Sequence, residues 1–373
     1  MRILVTGSQG FIGKNLDVRL SELSGVEVVR FTRKDKFSSL LEKIYQVDAI
    51  IHLAGENRPK DIDDFEKNNA RLTASLCECI RVSGRKIPLI LASSTQAKLD
   101  NPYGKSKRAA EQVVEDLAAQ TGNPVVIYRL PNVFGKWCKP NYNSVVATFC
   151  HNIANDLSIQ INDGSTSLNL VYVDDVVSEF LDMLETIEEG LHWREITPEY
   201  SVTVDELASQ INEFKHCRTA LVVKRVGVGL VRALYATYVS YLPREKFVYD
   251  LPRYIDDRGI FVEMLKTSDS GQFSFFTAHP GITRGGHYHH TKSEKFLVIK
   301  GSACFRFRDI LTDEKYEILT TGEIPQVVET IPGWTHDITN VGRDELVVML
   351  WANEIFDRNK PDTYTCEVRN EKT

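Results

Sequence analysis

The stretch Thr6-Gly7-Ser8-Gln9-Gly10-Phe11-Ile12-Gly13, set directly behind the apolar run Ile3-Leu4-Val5, restricts the fold more than any other part of this chain. An apolar strand enters, three glycines make the turn, and an amphipathic segment carrying Phe11, Ile12, Leu16 and Leu20 leaves. Such a loop puts backbone N–H groups at a helix N-terminus, where the dipole and the unpaired donors favour a pyrophosphate. Each glycine removes a Cβ where the turn is tight or where phosphates approach. Alone, the turn would mark only a strand-to-helix connection. With a strand before it and a helix behind it, close to residue 1, it reads as a dinucleotide loop in which Gly7, Gln9, Gly10, Phe11, Ile12 and Gly13 contact the cofactor.

From residue 1 to about residue 185, short Val/Ile/Leu runs (Ile3 to Val5, Val26 to Phe31, Ala49 to Leu53, Leu89 to Ala92, Val125 to Arg129) alternate with helical patterns such as Phe65 to Val82 and Tyr103 to Gln120. Continuous apolar strands alternating with helices predict a parallel sheet covered on both faces, an α/β doubly wound Rossmann domain. Thr203-Val204-Asp205-Glu206 is a capping box that starts a helix to about Phe214, and Val222 to Leu242 reads as another helix. Near Pro243 the character changes. Beyond it, Phe273 to Thr277, Lys295 to Ile299, Ala303 to Arg308, Gln326 to Ile331 and Glu345 to Trp351 are short β-forming runs between turn signals, which predicts an all-β sandwich or barrel. The expected domains are 1–243 and 244–373.

A formal charge of -6 over 373 residues excludes a non-specific nucleic-acid binder. The seven cysteines lack CxxC spacing and read as reduced thiols of a cytoplasmic protein. A strand at the first residues leaves no room for a signal peptide. The apolar stretch Ala220 to Leu242 carries Lys224, Arg225 and Arg232, so no membrane insertion is expected.

The end of the second strand bears on the cofactor. An acid there would bind the ribose 2′-hydroxyl of NAD, whereas arginine accommodates the 2′-phosphate of NADP. Here the strand ends Phe31-Thr32-Arg33-Lys34, with no acid before Asp35, so Arg33 favours NADPH. Tyr103 and Lys107 stand at i, i+4 on one helical face, after Asn101-Pro102. A phenol with an ordinary pKa near 10 is a poor acid–base group at neutral pH, and a neighbouring ammonium favours its ionised form. Ser93-Ser94-Thr95, at the end of the fourth strand, offers a hydroxyl to a reacting oxygen.

Together the glycine turn, Leu53-Ala54-Gly55, Ser93-Ser94 and Tyr103…Lys107 resemble the extended short-chain dehydrogenases/reductases. Arg129-Leu130-Pro131-Asn132-Val133-Phe134-Gly135 and Tyr172-Val173-Asp174-Asp175 resemble that family's nucleotide-sugar region. The resemblance implies that Tyr103 gives or takes the proton, Lys107 holds the cofactor ribose, Ser94 polarises the carbonyl and Asn69 takes the family's asparagine position. It also implies that Leu53 and Ala54 border the cofactor. One departure stands out: Leu168, followed by Asn169, occupies the place where the family often has a basic residue for the sugar's diphosphate.

Five of the nine histidines (279, 287, 289, 290, 336) fall in the last third. Side chains alternate along a strand, so His287 and His289 share a face, and Glu294 with His336 can complete a site of three imidazoles and one carboxylate. Those ligands suit a divalent metal (Zn, Fe, Mn or Ni), with zinc the expectation. The spacing HxHxxxxE with a later PGxxH resembles the cupins, small jelly-roll barrels. Asp257-Arg258-Gly259-Ile260-Phe261-Val262-Glu263 and Arg284-Gly285-Gly286-His287-Tyr288 resemble the deoxysugar 3,5-epimerases, also cupins, which implies that a histidine at His287 removes the proton beside a 4-keto group. His287 is therefore a ligand, a base, or each in different states; a purely structural metal is the plainer alternative.

The combination resembles one family, the CapF-type bifunctional enzymes of capsular polysaccharide and O-antigen synthesis. Gly135-Lys136-Trp137-Cys138-Lys139-Pro140-Asn141-Tyr142-Asn143-Ser144, His289-His290-Thr291-Lys292, Trp351-Ala352-Asn353-Glu354 and Lys360-Pro361-Asp362-Thr363-Tyr364 carry that resemblance. It implies that the cupin epimerises C3 of UDP-2-acetamido-2,6-dideoxy-4-hexulose. The reductase then transfers hydride from NADPH to C4, giving UDP-2-acetamido-2,6-dideoxy-L-talose on the route to UDP-N-acetyl-L-fucosamine. A UDP-4-keto-6-deoxy-N-acetylhexosamine substrate and a homodimer follow from the same resemblance. The rival readings are a single-activity reductase or epimerase with a structural cupin, and a nucleotide-sugar-binding regulator without turnover.

Overall fold

The computed structural model describes every residue except 60, 248, 270, 291, 311, 360 and 369–373, so Thr291 and Lys360 of the stretches quoted above lie outside the described residues. Contacts divide the chain into two compact units, residues 1–212 with 228–243 and residues 213–227 with 244–373.

The first unit runs β1 (Arg2–Thr6), α1 (Phe11–Ser21), β2 (Glu27–Phe31), α2 (Ser38–Tyr45), β3 (Ala49–His52), α3 (Asp63–Phe65), α4 (Leu72–Ser83), β4 (Leu89–Ser94), α5 (Pro102–Thr121), β5 (Val125–Leu130) and β6 (Asn132–Phe134). Then come α6 (Val145–Ala154), β7 (Ser167–Tyr172), α7 (Val173–Thr186), β8 (Leu191–Arg194), β9 (Tyr200–Thr203), the start of α8 (Val204–Ala220), whose last residues fall in the second unit with the two-residue β10 (Val222–Val223), and α9 (Gly229–Val239). The main sheet has the order β2-β1-β3-β4-β5-β8, with every pairing parallel.

Residues of β1 show why this sheet is covered twice. Ile3 and Val5 pack with Leu16, Leu20 and Phe180, while Leu4 packs with Leu76, Val114 and Leu117 on the other face. Each such side chain contributes roughly 1.5–3 kcal/mol when fully buried. The order reverses at β1, with β2 on one side and β3 to β8 on the other, so the carboxyl ends of β1 and β3 open on a crevice. This is the doubly wound Rossmann fold expected.

In the second unit follow β11 (Arg253–Asp256), β12 (Gly259–Thr267), β13 (Gly271–Ala278), β14 (Thr283–Tyr288), β15 (Glu294–Lys300), β16 (Ser302–Asp309) and β17 (Lys315–Thr321). After them come β18 (Val327–Glu329), β19 (Trp334–Asn340), β20 (Leu346–Ala352) and β21 (Tyr364–Thr365). One sheet has the order β10-β12-β13-β20-β15-β18, with β11 on β12; the other has the order β17-β16-β19-β14-β21. Phe276, Phe296 and Val348 of the first sheet meet Phe305, Phe307 and Ile338 of the second in one core. Two sheets packed face to face in this way form the cupin jelly roll.

The expected helix from Val222 to Leu242 is only partly present. Val222 and Val223 pair in parallel with Lys266 and Thr267, and helix begins at Gly229, whose φ of 59° breaks any earlier start. Two adjacent β-branched residues add to a sheet edge more readily than they extend a helix. The capping box forms as read: Glu206 N donates to Thr203 Oγ1 at 3.2 Å, and Thr203 N donates to Glu206 Oε2 at 2.8 Å. Among the described residues no helix is long and apolar enough to cross a membrane.

Candidate functional sites: a cofactor crevice and a histidine cluster

The glycine turn lies where β1 meets α1. Gly7 has φ 70°, and Gly10 N closes the turn on Gly7 O at 2.9 Å. A Cβ on Gly13 would lie 2.2 Å from Gly7 O, and one on Gly7 would lie 2.7 Å from Ala54 N. Both approaches require glycine. No side chain caps α1, whose first turn faces a cavity of about 600 Å³. Gly7, Gln9, Gly10, Phe11, Ile12, Gly13, Arg33, Leu53, Ser94, Tyr103 and Lys107 all line it. Ala54 does not; its N–H donates to Thr6 Oγ1 at 3.2 Å, and it backs the turn from behind. A cradle of backbone donors at a helix start, with the Arg33 guanidinium on the same wall, fits a dinucleotide.

Tyr103 and Lys107 are placed by the start of α5. Asn101 caps it by accepting from Gly104 N at 2.7 Å, and Pro102 takes the first turn. A Cβ on Gly104 would lie 2.3 Å from Gln96 O, so this glycine lets the helix press against the turn that follows Ser94. Phe65 packs on the Tyr103 ring at 5.7 Å. Burial pushes the Tyr103 phenol above its ordinary range, and a hydrogen bond with Ser94 opposes this. The direction is thus set by burial and is opposite to the lowering expected from Lys107. Lys107 donates to Ala92 O at 2.7 Å; burial lowers its pKa to about 8, opposed by Glu111.

Glu111 carries no motif in the sequence, yet it organises this wall. Its fully buried carboxylate accepts from Ser93 Oγ (2.6 Å), from Arg129 (2.9 and 2.7 Å) and from Arg108 (3.0 Å). Burial alone would raise its pKa; the bonds from Arg129, Ser93 and Arg108 leave it below the ordinary range. Asn69 stands in a π-helical turn between α3 and α4 and is buried. Its side chain accepts from Glu56 N at 2.7 Å and donates to Glu56 O at 3.0 Å and to Ser106 Oγ at 2.8 Å. It pins the loop after β3.

That loop exposes a group the sequence reading passed over. Glu56 Oε2 lies 2.5 Å from Arg33 Nη2, and Glu56 Oε1 accepts from Tyr142 OH at 3.2 Å. Leu168 is not part of the cavity wall; Lys14 and Lys139 supply cations there beside Arg33 and Lys107.

In the second unit His287 (β14), His289 (just after β14), Glu294 (β15) and His336 (β19) converge. One ligand atom from each lies within 4.8 Å of all the others. The turn that aims His287 is a bulge built on Gly285 (φ 101°) and Gly286 (φ 77°), which sets His287 opposite His336. Ring centroids are 4.7 Å apart for His287–His336 and 4.9 Å for His287–His289. Glu294 Oε2 lies 3.2 Å from His289 Nε2 and 3.5 Å from His336 Nε2. His289, Glu294 and His336 are buried, and His287 is half-buried.

The donor pattern fits a cation. His289 Nδ1 is 2.5 Å from Asp362 O. A carbonyl only accepts, so Nδ1 carries the hydrogen and Nε2 turns its lone pair toward the carboxylate. His336 Nε2 is buried with no hydrogen-bond partner among the described residues. Lone pairs from imidazole and carboxylate repel at this range unless a proton or a metal lies between them. Burial and the neighbouring His336 push the His287 pKa down to about 4. Burial would raise the Glu294 carboxyl, but the facing imidazoles of His289 and His336 and the Lys292 ammonium hold it well below its ordinary range. Three imidazoles and one carboxylate are a ligand set for a divalent metal such as zinc.

Comparison with known proteins agrees with both halves. Residues 3–197 match the NAD dependent epimerase/dehydratase family, and residues 254–364 match the polysaccharide biosynthesis C-terminal domain. The chain is 58% identical to the UDP-2-acetamido-2,6-beta-L-arabino-hexul-4-ose reductase of Pseudomonas aeruginosa over 368 residues, covering 99% of each. It is similar to the crystal structure of the capsular polysaccharide assembling protein CapF from Staphylococcus aureus, with TM-score 0.90 and 42% identity over 99% of this chain and 100% of that one. A UDP-glucose 4-epimerase from Thermus thermophilus, solved with NAD, shares the fold at 19% identity and TM-score 0.55, covering 66% of this chain and all of that one. The chain belongs to the NAD dependent epimerase/dehydratase family, among the CapF-type proteins that join such a domain to a polysaccharide biosynthesis C-terminal domain.

Proposed function

We propose that the chain reduces a UDP-linked 4-keto sugar with NADPH in its first unit, after its second unit has inverted C3 of the same ketone. The observation that carries the reductase half is the gathering of Tyr103, Ser94 and Lys107 on the wall of the cavity that the glycine turn opens. Bound NADPH would supply the hydride. Ser94 orients the C4 carbonyl, Tyr103 gives its proton to the forming alkoxide, and Lys107 keeps a positive charge beneath them. The substrate class, UDP-2-acetamido-2,6-dideoxy-4-hexulose, is supported by the 58% identity to the Pseudomonas enzyme.

The epimerase half is supported by the histidine cluster. A 4-keto group acidifies the C3 proton, because the resulting carbanion is an enolate. His287, the one half-buried member of the cluster, is the member a sugar can reach; it takes that proton, and a proton from solvent then adds to the opposite face of the enolate to give the inverted ketone. A metal in the cluster would polarise the 4-keto oxygen as a Lewis acid. Epimerisation must come first, since reduction removes the acidifying ketone and traps the new stereocentre. The product would be UDP-2-acetamido-2,6-dideoxy-L-talose, a precursor of UDP-N-acetyl-L-fucosamine for capsule or O-antigen. One observation favours a second reading, in which the metal is structural: three of the four ligands are buried, and the three that stand on strands come from both sheets of the jelly roll.

Incubating the purified chain with the UDP-4-keto sugar and NADPH tests the proposal. Loss of NADPH absorbance with formation of the C4 alcohol is expected; no oxidation of NADPH would overturn the reductase reading. Cofactor choice is tested at Arg33, whose side chain is 84% exposed and bonded to Glu56. Arg33→Ala should raise the KM for NADPH by about tenfold or more and leave that for NADH nearly unchanged, because a charged hydrogen bond to phosphate contributes roughly 1.5–3 kcal/mol. An equal effect on both cofactors would remove Arg33 from the 2′-phosphate.

A further inference from the structure

Three members of the histidine cluster stand on strands, but His289 lies beyond the end of β14, in the connection to β15. No strand pairing fixes its backbone. Its main-chain oxygen accepts from Gly333 N at 2.9 Å, and a segment 73 positions further on holds its ring and the residues that follow it. The Asp362 carboxylate accepts from His290 N at 2.9 Å with Oδ1 and from Lys292 N at 2.8 Å with Oδ2. The main-chain oxygen of the same residue accepts from His289 Nδ1 at 2.5 Å. Lys292, drawn in by this clamp, is buried with Nζ 3.1 Å from Glu294 Oε1, the oxygen turned away from the imidazoles.

The segment is itself well anchored. Tyr364 and Thr365 pair with Tyr288 and His287 as β21, and Cys366 N donates to Gly286 O at 2.9 Å. Arg308 donates to Glu367 O at 2.6 Å and to Val368 O at 3.2 Å. Residues 362–368 therefore hold the backbone before His289, the backbone after it, and the ring itself.

We infer that Asp362 is a positioning residue of the metal centre, so that the cluster's affinity for a divalent cation depends on the segment 362–368. This rests on the metal reading of the cluster proposed above. The carbonyl of Asp362 fixes the His289 tautomer, leaving Nε2 as the ligand atom. Its carboxylate satisfies the N–H groups of His290 and Lys292, which follow His289, and so adds to the hold that Gly333 N has on the His289 carbonyl. Partners of this kind behind a metal-bound histidine typically contribute 10–100-fold in metal affinity.

The test uses the full chain and Zn2+ alone, titrated against a chromophoric chelator, with the melting temperature of each metal-free protein measured alongside. Asp362→Ala should weaken Zn2+ binding by about 10–100-fold. Asp362→Asn, which keeps one acceptor and the side-chain shape, should fall between the variant and the wild type. Metal-free melting temperatures should stay close together. Equal Zn2+ affinity in all three proteins would overturn the inference, as would a loss that only follows a fall in the metal-free melting temperature. Wild-type protein that binds no Zn2+, Mn2+, Fe2+ or Ni2+ would instead remove the metal reading itself.

Discussion

Replacing Tyr103 by phenylalanine should lower the rate of C4 reduction by about a thousandfold, within the 10²–10⁴ range of a lost general acid, while proton exchange at C3 continues. The substitution deletes one oxygen. The ring stays packed on Phe65 at 5.7 Å, and α5 keeps its Asn101 cap and its Gly104 contact, so fold and cofactor binding should survive. Stopped-flow NADPH oxidation reads the first effect, and deuterium uptake at C3 in D2O reads the second. Equal loss of both would mean one shared site rather than two.

The same site has a pH limb. Burial keeps the Tyr103 phenol protonated through the neutral range, so the acid itself is present. Lys107, lowered to about 8, carries its charge below that pH and loses it above. Reduction should therefore hold steady near neutrality and decline as pH rises past about 8.

Glu294→Gln should produce the opposite separation: metal binding and C3 exchange are lost, and reduction of the already epimerised ketone is retained. Glu294 is the one carboxylate of the cluster, and its two oxygens face different partners, the imidazoles and Lys292. Glutamine keeps the volume and removes the charge. With it goes the ligand that balances a divalent ion among neutral imidazoles, so affinity should fall by at least the 10–100-fold typical of an outer partner. The buried Lys292 ammonium also loses its counter-charge, a change that costs about 3–5 kcal/mol when one member of a buried pair is removed. A lower melting temperature of the second unit is therefore expected, and reduction assays on the same sample show whether the protein is otherwise intact. Retained metal with lost exchange would point to Glu294 acting in proton transfer. Lost metal with unchanged exchange would favour the structural-metal reading.

How much of this was legible in the sequence depends on distance along the chain. Gly7 to Gly13 lie within one turn, Tyr103 and Lys107 within one helical turn, and His287 to Glu294 within eight positions; local periodicity therefore suffices to read that each group lies together. His336 was reachable because PGxxH is itself a local pattern. Glu56 on Arg33, Glu111 on Arg129 and Asp362 on His289 are pairs formed by tertiary packing, and no local spacing joins the two members of each. The helix expected from Val222 failed for a related reason: Val222 and Val223 follow a sheet edge more than 40 positions away, and Gly229 restarts the helix. The lowering of Tyr103 by Lys107 failed because burial cannot be read from an i, i+4 spacing.

The central claim is an order of events: C3 is inverted first, and C4 is reduced on the inverted ketone. Running the wild-type full chain in D2O with UDP-2-acetamido-2,6-dideoxy-4-hexulose and NADPH, and reading the alcohol by proton NMR and mass, tests it most directly. The account expects the reduced sugar to carry deuterium at C3, and expects the ketone to take up deuterium there even when NADPH is withheld. A reduced sugar that retains its original C3 proton would contradict it.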